Sequence, residues 1–199
     1  MKLPLSYYQN QNVVHLAKDL IGKVIHSQVD DQLTSGIITE TEAYRGIGDK
    51  ACHAHMGRFT DRTKIMYEPG GVAYVYLCYG IHHLFNIITN TNEQADAILI
   101  RAAEPLQGID IMMERRGKKV VDKTLTSGPG NFSKAFGLNK SHYGEDLTGD
   151  LVWIEDDLSS RFRESEIVTS KRVGIDYAEE DADLLWRFYL NSSKFVSKK

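Results

Sequence analysis

The sequence predicts an α+β protein: a single compact domain with a mixed or antiparallel sheet and flanking helices. Three observations carry that prediction. Val13, Val14, Leu16, Ala17, Leu20 and Ile21 follow helical spacing, whereas most later apolar runs are short and rich in β-branched and aromatic residues. Strands and helices do not alternate regularly, which argues against a parallel α/β sheet. The 199 residues, 42% of them hydrophobic, contain no Pro/Gly/Ser-rich linker, internal repeat or low-complexity tract, so one domain over residues 1–199 with one core is the economical reading.

The elements follow in order. A helix is expected over residues 11–21, stopped by Gly22. Residues 23–29 and 33–44 read as two strands around the turn Asp30-Asp31. Residues 72–79 and 84–89 form a second pair, interrupted at Tyr79-Gly80-Ile81-His82, and Pro69-Gly70-Gly71 marks the turn before it. Residues 97–103 read as a buried strand with a single charge, Arg101. Helices are expected over 106–116 and 131–136, the second ended by Gly137, and short strands over 151–155 and 186–190 close the chain.

Composition narrows the setting. Two cysteines cannot build a disulfide framework and fit a reducing compartment. The longest apolar run, Val72 to Tyr79, is far short of the roughly 20 residues that a membrane helix needs. The opening Met-Lys-Leu-Pro-Leu-Ser-Tyr-Tyr-Gln-Asn has no apolar signal core. The chain is therefore expected in the cytoplasm (on the nucleoid, in a bacterium) or in a nucleus, neither membrane-bound nor secreted. Its formal charge of −3 hides a segregation. Arg45 to Tyr67 carries five basic against two acidic residues, Arg101 to Lys140 eight against four, and Glu145 to Asp183 four against thirteen. A basic front and an acidic back would suit an anionic partner; an ordinary solvated surface would look the same.

Several clusters could carry chemistry. In Thr39-Glu40-Thr41-Glu42-Ala43-Tyr44 the strand period places Glu40, Glu42 and Tyr44 on one face. Carboxylates beside a ring on a half-buried strand are costly to desolvate unless paired or used, so either glutamate could be a general base; a solvated face is the plain alternative. Cys52, His53, His55, Cys78, His82 and His83 invite a metal reading, but neither C-x2-C nor H-x3-H spacing is present, and no metal or other cofactor is expected. Tyr74 and Tyr76 share a strand face, and Tyr79 before Gly80 could project into a partner. Base-flipping proteins need such rings and such a wedge; a tyrosine-rich core strand would read alike. Asn86 and Arg101 sit on apolar strands and each needs a partner there. Ser127-Gly128-Pro129-Gly130-Asn131 opens a helix and could hold a phosphate or simply cap it.

Together these residues resemble the alkyladenine (3-methyladenine) DNA glycosylase family. The matching stretches are Glu40 to Tyr44, His53, Met66 to Gly70, Tyr74-Val75-Tyr76 with Tyr79-Gly80, and Asn86. Ile100-Arg101-Ala102 with Glu104-Pro105-Leu106, Ser127-Gly128-Pro129, Arg172 to Ile175 and Arg187-Phe188-Tyr189 complete the set. They stand in the family's order from about residue 15 to 190. The resemblance implies a monofunctional enzyme that flips alkylated or deaminated purines out of double-stranded DNA and hydrolyses the N-glycosidic bond. It implies Glu42 as the general base, with Arg101 and the Val173 carbonyl helping to hold the water. Tyr44, His53 and Tyr76 would wall the base pocket, and Asn86 would disfavour the exocyclic amine of guanine. Tyr79 would intercalate, with Ile81 and His82 beside it on the DNA.

The chemistry agrees with that assignment. A 3- or 7-methylated purine is cationic and leaves readily, and stacking between two tyrosines adds roughly 0.5–2 kcal/mol of cation–π attraction. An anionic Glu42 would stabilise the developing oxocarbenium-like sugar. No lysine stands among the matched pocket positions, so no Schiff-base step is expected. With so low a net charge, DNA affinity should lean on the basic front and fall steeply with salt. One enzyme engages one flipped base, so a monomer is expected. The rival readings are a damaged-DNA-binding module without catalysis and a metal-dependent hydrolase built on Cys52, His53, His55 and His82.

Overall fold

The computed structural model describes residues 1–91, 93–156 and 162–199. Its elements are α1 (Leu5–Tyr8), α2 (Val13–Asp19), β1 (Val24–Val29), β2 (Gln32–Tyr44), β3 (Ala73–Cys78), β4 (His82–Thr89), β5 (Asp96–Gln107), α3 (Ile109–Arg116), α4 (Pro129–Ala135), β6 (Val152–Glu155), β7 (Ile167–Ser170) and β8 (Arg187–Leu190). Short 3-10 turns connect several of them.

Local chemistry explains the elements that frame the cavity. Asn12 caps α2 by accepting the His15 N–H at 3.0 Å, and the helix buries Val13, Leu16 and Ala17. Asp30 and Asp31 both adopt positive φ, 54° and 58°, the backbone that a two-residue hairpin turn between β1 and β2 requires. Leu106 and Gln107 extend β5 instead of starting the expected helix. Gly108 enforces the break: a Cβ there would lie 2.4 Å from the Leu33 carbonyl, so only glycine lets the chain pass and turn into α3. The helix expected over 131–136 starts earlier, at Pro129, whose missing N–H costs nothing at a first helical position. Neither the one-turn α1 nor β7 follows from the apolar pattern.

The strands form one eight-stranded sheet: six follow the order β3-β4-β5-β2-β1-β6, β8 pairs with β2 off this path, β7 pairs with β8, and every pairing is antiparallel. β2, thirteen residues long, organises it. Along one edge β1 covers Gln32–Ile37, and beyond it β8 takes over at Glu40–Glu42; β5 runs along the other edge. Glu40 and Glu42 therefore lie on a stretch with a strand on each side. α4 packs Phe132 and Phe136, 4.5 Å apart, into the main core, with Phe85 of β4 against Phe132 at 6.3 Å. A smaller cluster with Cys52, Met66, Tyr74 and Ile88 supports the cavity on the other side. Among the described residues no helix is long and apolar enough to cross a membrane.

Candidate active site

The site begins with the two carboxylates of β2. Both glutamates have 0% exposure, so the solvated strand face is ruled out. A buried carboxylate is tolerable only when paired and fully hydrogen-bonded. Glu42 is: its Oε1 accepts the Val173 N–H at 2.7 Å, and its Oε2 accepts the Tyr44 hydroxyl at 2.8 Å and Arg101 Nη1 at 3.2 Å. Glu40 accepts Arg101 Nε at 2.8 Å and Arg187 Nε at 2.7 Å. Burial pushes the Glu40 carboxyl up, but Arg101 and Arg187 outweigh it and hold it below its ordinary value.

Arg101, 6% exposed on β5, links both carboxylates and lines a cavity of about 580 Å³. Tyr44 and Val173 line it as well, whereas Glu42 itself lies one layer behind them. One face of the Tyr44 ring carries the guanidinium of Arg172 at 4.8 Å. Arg172 is in turn fixed by a bidentate, fully buried pair with Asp49 at 2.6 and 2.8 Å. Burial, with Glu42 next to it, holds the Tyr44 hydroxyl well above the usual tyrosine range, so it stays a donor.

The opposite wall is aromatic. Tyr76 and His53 meet edge to face at 4.7 Å, and the Tyr74 hydroxyl lies 2.9 Å from His53 Nδ1. Arg62 Nη2 lies 3.0 Å from His53 Nε2 and 3.3 Å from Nδ1, and its Nε donates to the Tyr74 hydroxyl at 3.1 Å, so one guanidinium ties the two rings together. Burial and then Arg62 push the His53 ring down to about 4, which keeps it neutral near pH 7. Arg62 also covers the Tyr76 ring at 4.6 Å. Asn86 donates to the Tyr74 and Leu84 carbonyls at 3.1 and 3.3 Å and closes the cavity between β3 and β5.

At the mouth, Tyr79 projects with 90% of its surface exposed and adopts φ 50°, a left-handed backbone that a bulky residue rarely takes without a use. Ile81, 72% exposed, shares the turn but does not line the cavity. His82 does, and its ring rests on Gly130 of α4, where a Cβ would sit 2.9 Å away. Gly128 and Asn131 also line this side. The Asn131 amide donates back to the Ser127 carbonyl at 2.8 Å, and no side chain caps the N-terminus of this short helix.

Cys52 and His53 occupy a turn, and Cys52 is a buried thiol pushed up to about 12 by its burial. Among the described residues no three His, Cys, Asp or Glu side chains are grouped to hold a metal ion. The charge blocks are also not kept apart in space. Lys50 of the basic stretch is paired with Glu179 and Glu180 at 2.6 and 2.7 Å, and Tyr177, from the acidic stretch, lines the cavity. Sequence reasoning missed Arg62, Asp49 and Tyr177, since each acts from a loop or a 3-10 turn without periodicity.

The family model described as methylpurine-DNA glycosylase matches residues 6–194. The chain belongs to that family. Similar proteins include one from Clostridium acetobutylicum, 45% identical with 99% of this chain and 98% of that protein covered. Another, from Chlamydia felis, is 46% identical over 99% of both chains, and one from Alkaliphilus oremlandii is 44% identical over the full length of both. Each is named "Putative 3-methyladenine DNA glycosylase".

Proposed function

We propose that this methylpurine-DNA glycosylase family member is a monofunctional purine DNA N-glycosylase acting on damaged bases in double-stranded DNA during base excision repair. The observation that carries the reading is the position of a fully buried, ion-paired glutamate one layer behind a tyrosine-walled cavity that its partners Tyr44, Arg101 and Val173 line. A binding pocket alone has no need of that expensive arrangement.

In this reading a damaged purine leaves the stack and lies between Tyr44 and Tyr76, while Tyr79 fills the gap it leaves. The weaker pairing of damaged bases lowers the cost of extrusion. Arg62 swings off the Tyr76 ring to admit the base, and the Tyr44 hydroxyl yields Glu42 Oε2 to a water that Arg101 and the Val173 carbonyl help to hold. Glu42 stabilises the cationic sugar as the C1′–N bond breaks and takes the water's proton as the new C1′–O bond forms. The products are the free base and an abasic site. Asn86 excludes the guanine amine by occupying the space beside the base.

Neutral His53 offers no proton to a departing base. The cavity therefore serves cationic 3-methyladenine and 7-methylguanine without a general acid, and neutral hypoxanthine or ethenoadenine leaves more slowly. Among the described residues no lysine lines the cavity, in keeping with hydrolysis without strand cleavage. Action on genomic DNA places the enzyme in the cytoplasm or nucleus, as a monomer on one lesion.

The test is release of base from dimethyl-sulfate-treated DNA and from duplexes holding one hypoxanthine or ethenoadenine, with EDTA present. Free base with alkali-labile, uncut strands supports the reading. Preferential binding of damaged duplex without any release would make the protein a lesion reader, and release abolished by EDTA would restore the metal hydrolase.

A further inference from the structure

Glu40 is the unexplained half of the carboxylate pair. It has 0% exposure, does not line the cavity, and shares Arg101 with Glu42. Its remaining contacts come from far along the chain. Oε1 accepts the Ser197 hydroxyl at 2.8 Å, and Oε2 accepts the Ser197 N–H at 2.6 Å. The same hydroxyl oxygen accepts Arg101 Nη2 at 3.1 Å.

All three nitrogens of the Arg101 guanidinium are thus assigned. Nε goes to Glu40, Nη2 to Ser197 and Nη1 to Glu42. The group is planar, so holding Nε and Nη2 aims Nη1. Ser197 is itself exposed, and its place on this buried cluster is set by its neighbours. Phe195 and Val196 are buried, Thr39 donates to the Phe195 carbonyl at 2.6 Å, and Ser193 donates to Glu104 at 2.7 Å. Arg187 of β8 donates to the Lys198 carbonyl and, through Nε, to Glu40. The segment after β8 is therefore laced to the charged cluster by side chains of β2, β5 and β8.

We infer that Ser197 and Glu40 are positioning residues for the proposed hydrolysis: they clamp the Arg101 guanidinium so that its third nitrogen holds Glu42 and the attacking water in register. This rests on the glycosylase reading for the reaction, but the clamp itself is a property of the ground state. Neither residue touches substrate. Small misplacements of a catalytic array are costly in rate, with about 10²-fold the order for an ångström, while leaving binding intact.

The hydroxyl can be tested cleanly, because Ser197→Ala keeps the N–H bond to Glu40 and alters no core packing. Single-turnover base release at saturating enzyme should fall about tenfold in Ser197→Ala. Affinity for a duplex carrying a tetrahydrofuran abasic analogue should stay within about twofold, and the melting temperature should hold. Ser197→Thr, which restores a hydroxyl, should recover most of the rate. A second readout needs no turnover: the Arg101 Nε–H resonance should be sharp in the wild-type protein and broadened in Ser197→Ala. An unchanged release rate, or an unchanged resonance, overturns the inference. So does a rate loss matched by equal loss of binding or melting temperature without rescue by threonine. If wild type releases no base while the resonance behaves as described, the clamp stands and the glycosylase reading fails.

Discussion

At the inner end of the cavity, Glu40, Glu42, Arg101 and Arg187 stand on three neighbouring strands, each at most 6% exposed. Around the mouth, Tyr79 and Ile81 stand on the β3–β4 turn and Tyr177 on a 3-10 turn, each at least 65% exposed. Formal charges in the inner cluster cancel, two against two, and every carboxylate oxygen has a donor. Such an array is organised before substrate arrives, and in the proposed reaction only the Tyr44 hydroxyl gives way, to water. The mouth carries apolar surface without partners and, at Tyr79, a left-handed backbone, both of which a bound duplex can put to use. In the proposed enzyme, chemistry is assigned to the rigid end and lesion recognition to the adaptable one.

Substitutions at the two ends should therefore fail in different ways. The largest effect is expected for Arg101→Ala, which strands two buried carboxylates. Urea unfolding should show a loss of roughly 3–5 kcal/mol. A loss below about 1 kcal/mol would mean that the cluster is not the coupled unit described here. Tyr79→Ala should show the reverse pattern. Stability should change by less than about 0.5 kcal/mol, as for an exposed residue, and can even rise as backbone strain is relieved. Binding to lesion-bearing duplex should weaken roughly tenfold, the order of one lost base–aromatic stack. Fluorescence anisotropy at fixed salt would measure it, and equal affinity for both proteins would remove Tyr79 from the interface.

A pH titration of stability tests the boundary between the two ends. His53 is lowered from 6.5 to about 4 in the folded protein, by burial and then by Arg62. As pH falls, the unfolded chain binds that proton first, so stability is lost from about pH 6.5 down to about 4 and then levels off. His53→Gln should flatten the pH dependence of unfolding in that window and leave it unaltered above pH 7. An identical slope in both proteins would mean that Arg62 and burial do not hold the ring neutral.

The rigid end and the mouth also differ in how legible they were in the sequence. Glu42, Tyr44, Arg101, Tyr76 and Tyr79 lie on strands or a hairpin turn whose period and turn chemistry are written locally, and the structure brings the first four around one cavity or directly behind it. That Glu40 and Glu42 are buried was not legible, because it depends on β8 taking over the edge of β2 where β1 ends. The contacts of Ser197 and Arg187 to Glu40 span more than a hundred residues and leave no periodic trace. Leu106 and Gln107 read as helix because their apolar spacing was ambiguous, and a backbone approach at Gly108 decided for strand. The acidic stretch read as a separate back, but Lys50 draws part of it to the cavity side. The family resemblance supplied the reaction, which neither composition nor periodicity contains.

The central claim is that Glu42, held behind the cavity, activates water. Its most direct test is single-turnover base release by Glu42→Gln beside wild type, with affinity for the same lesion duplex measured in parallel on folded protein. The account predicts a loss of about 10²–10⁴-fold in release, the scale of general-base catalysis, with affinity little changed. Release at the wild-type rate, or a loss of binding large enough to explain the loss of release, would contradict it.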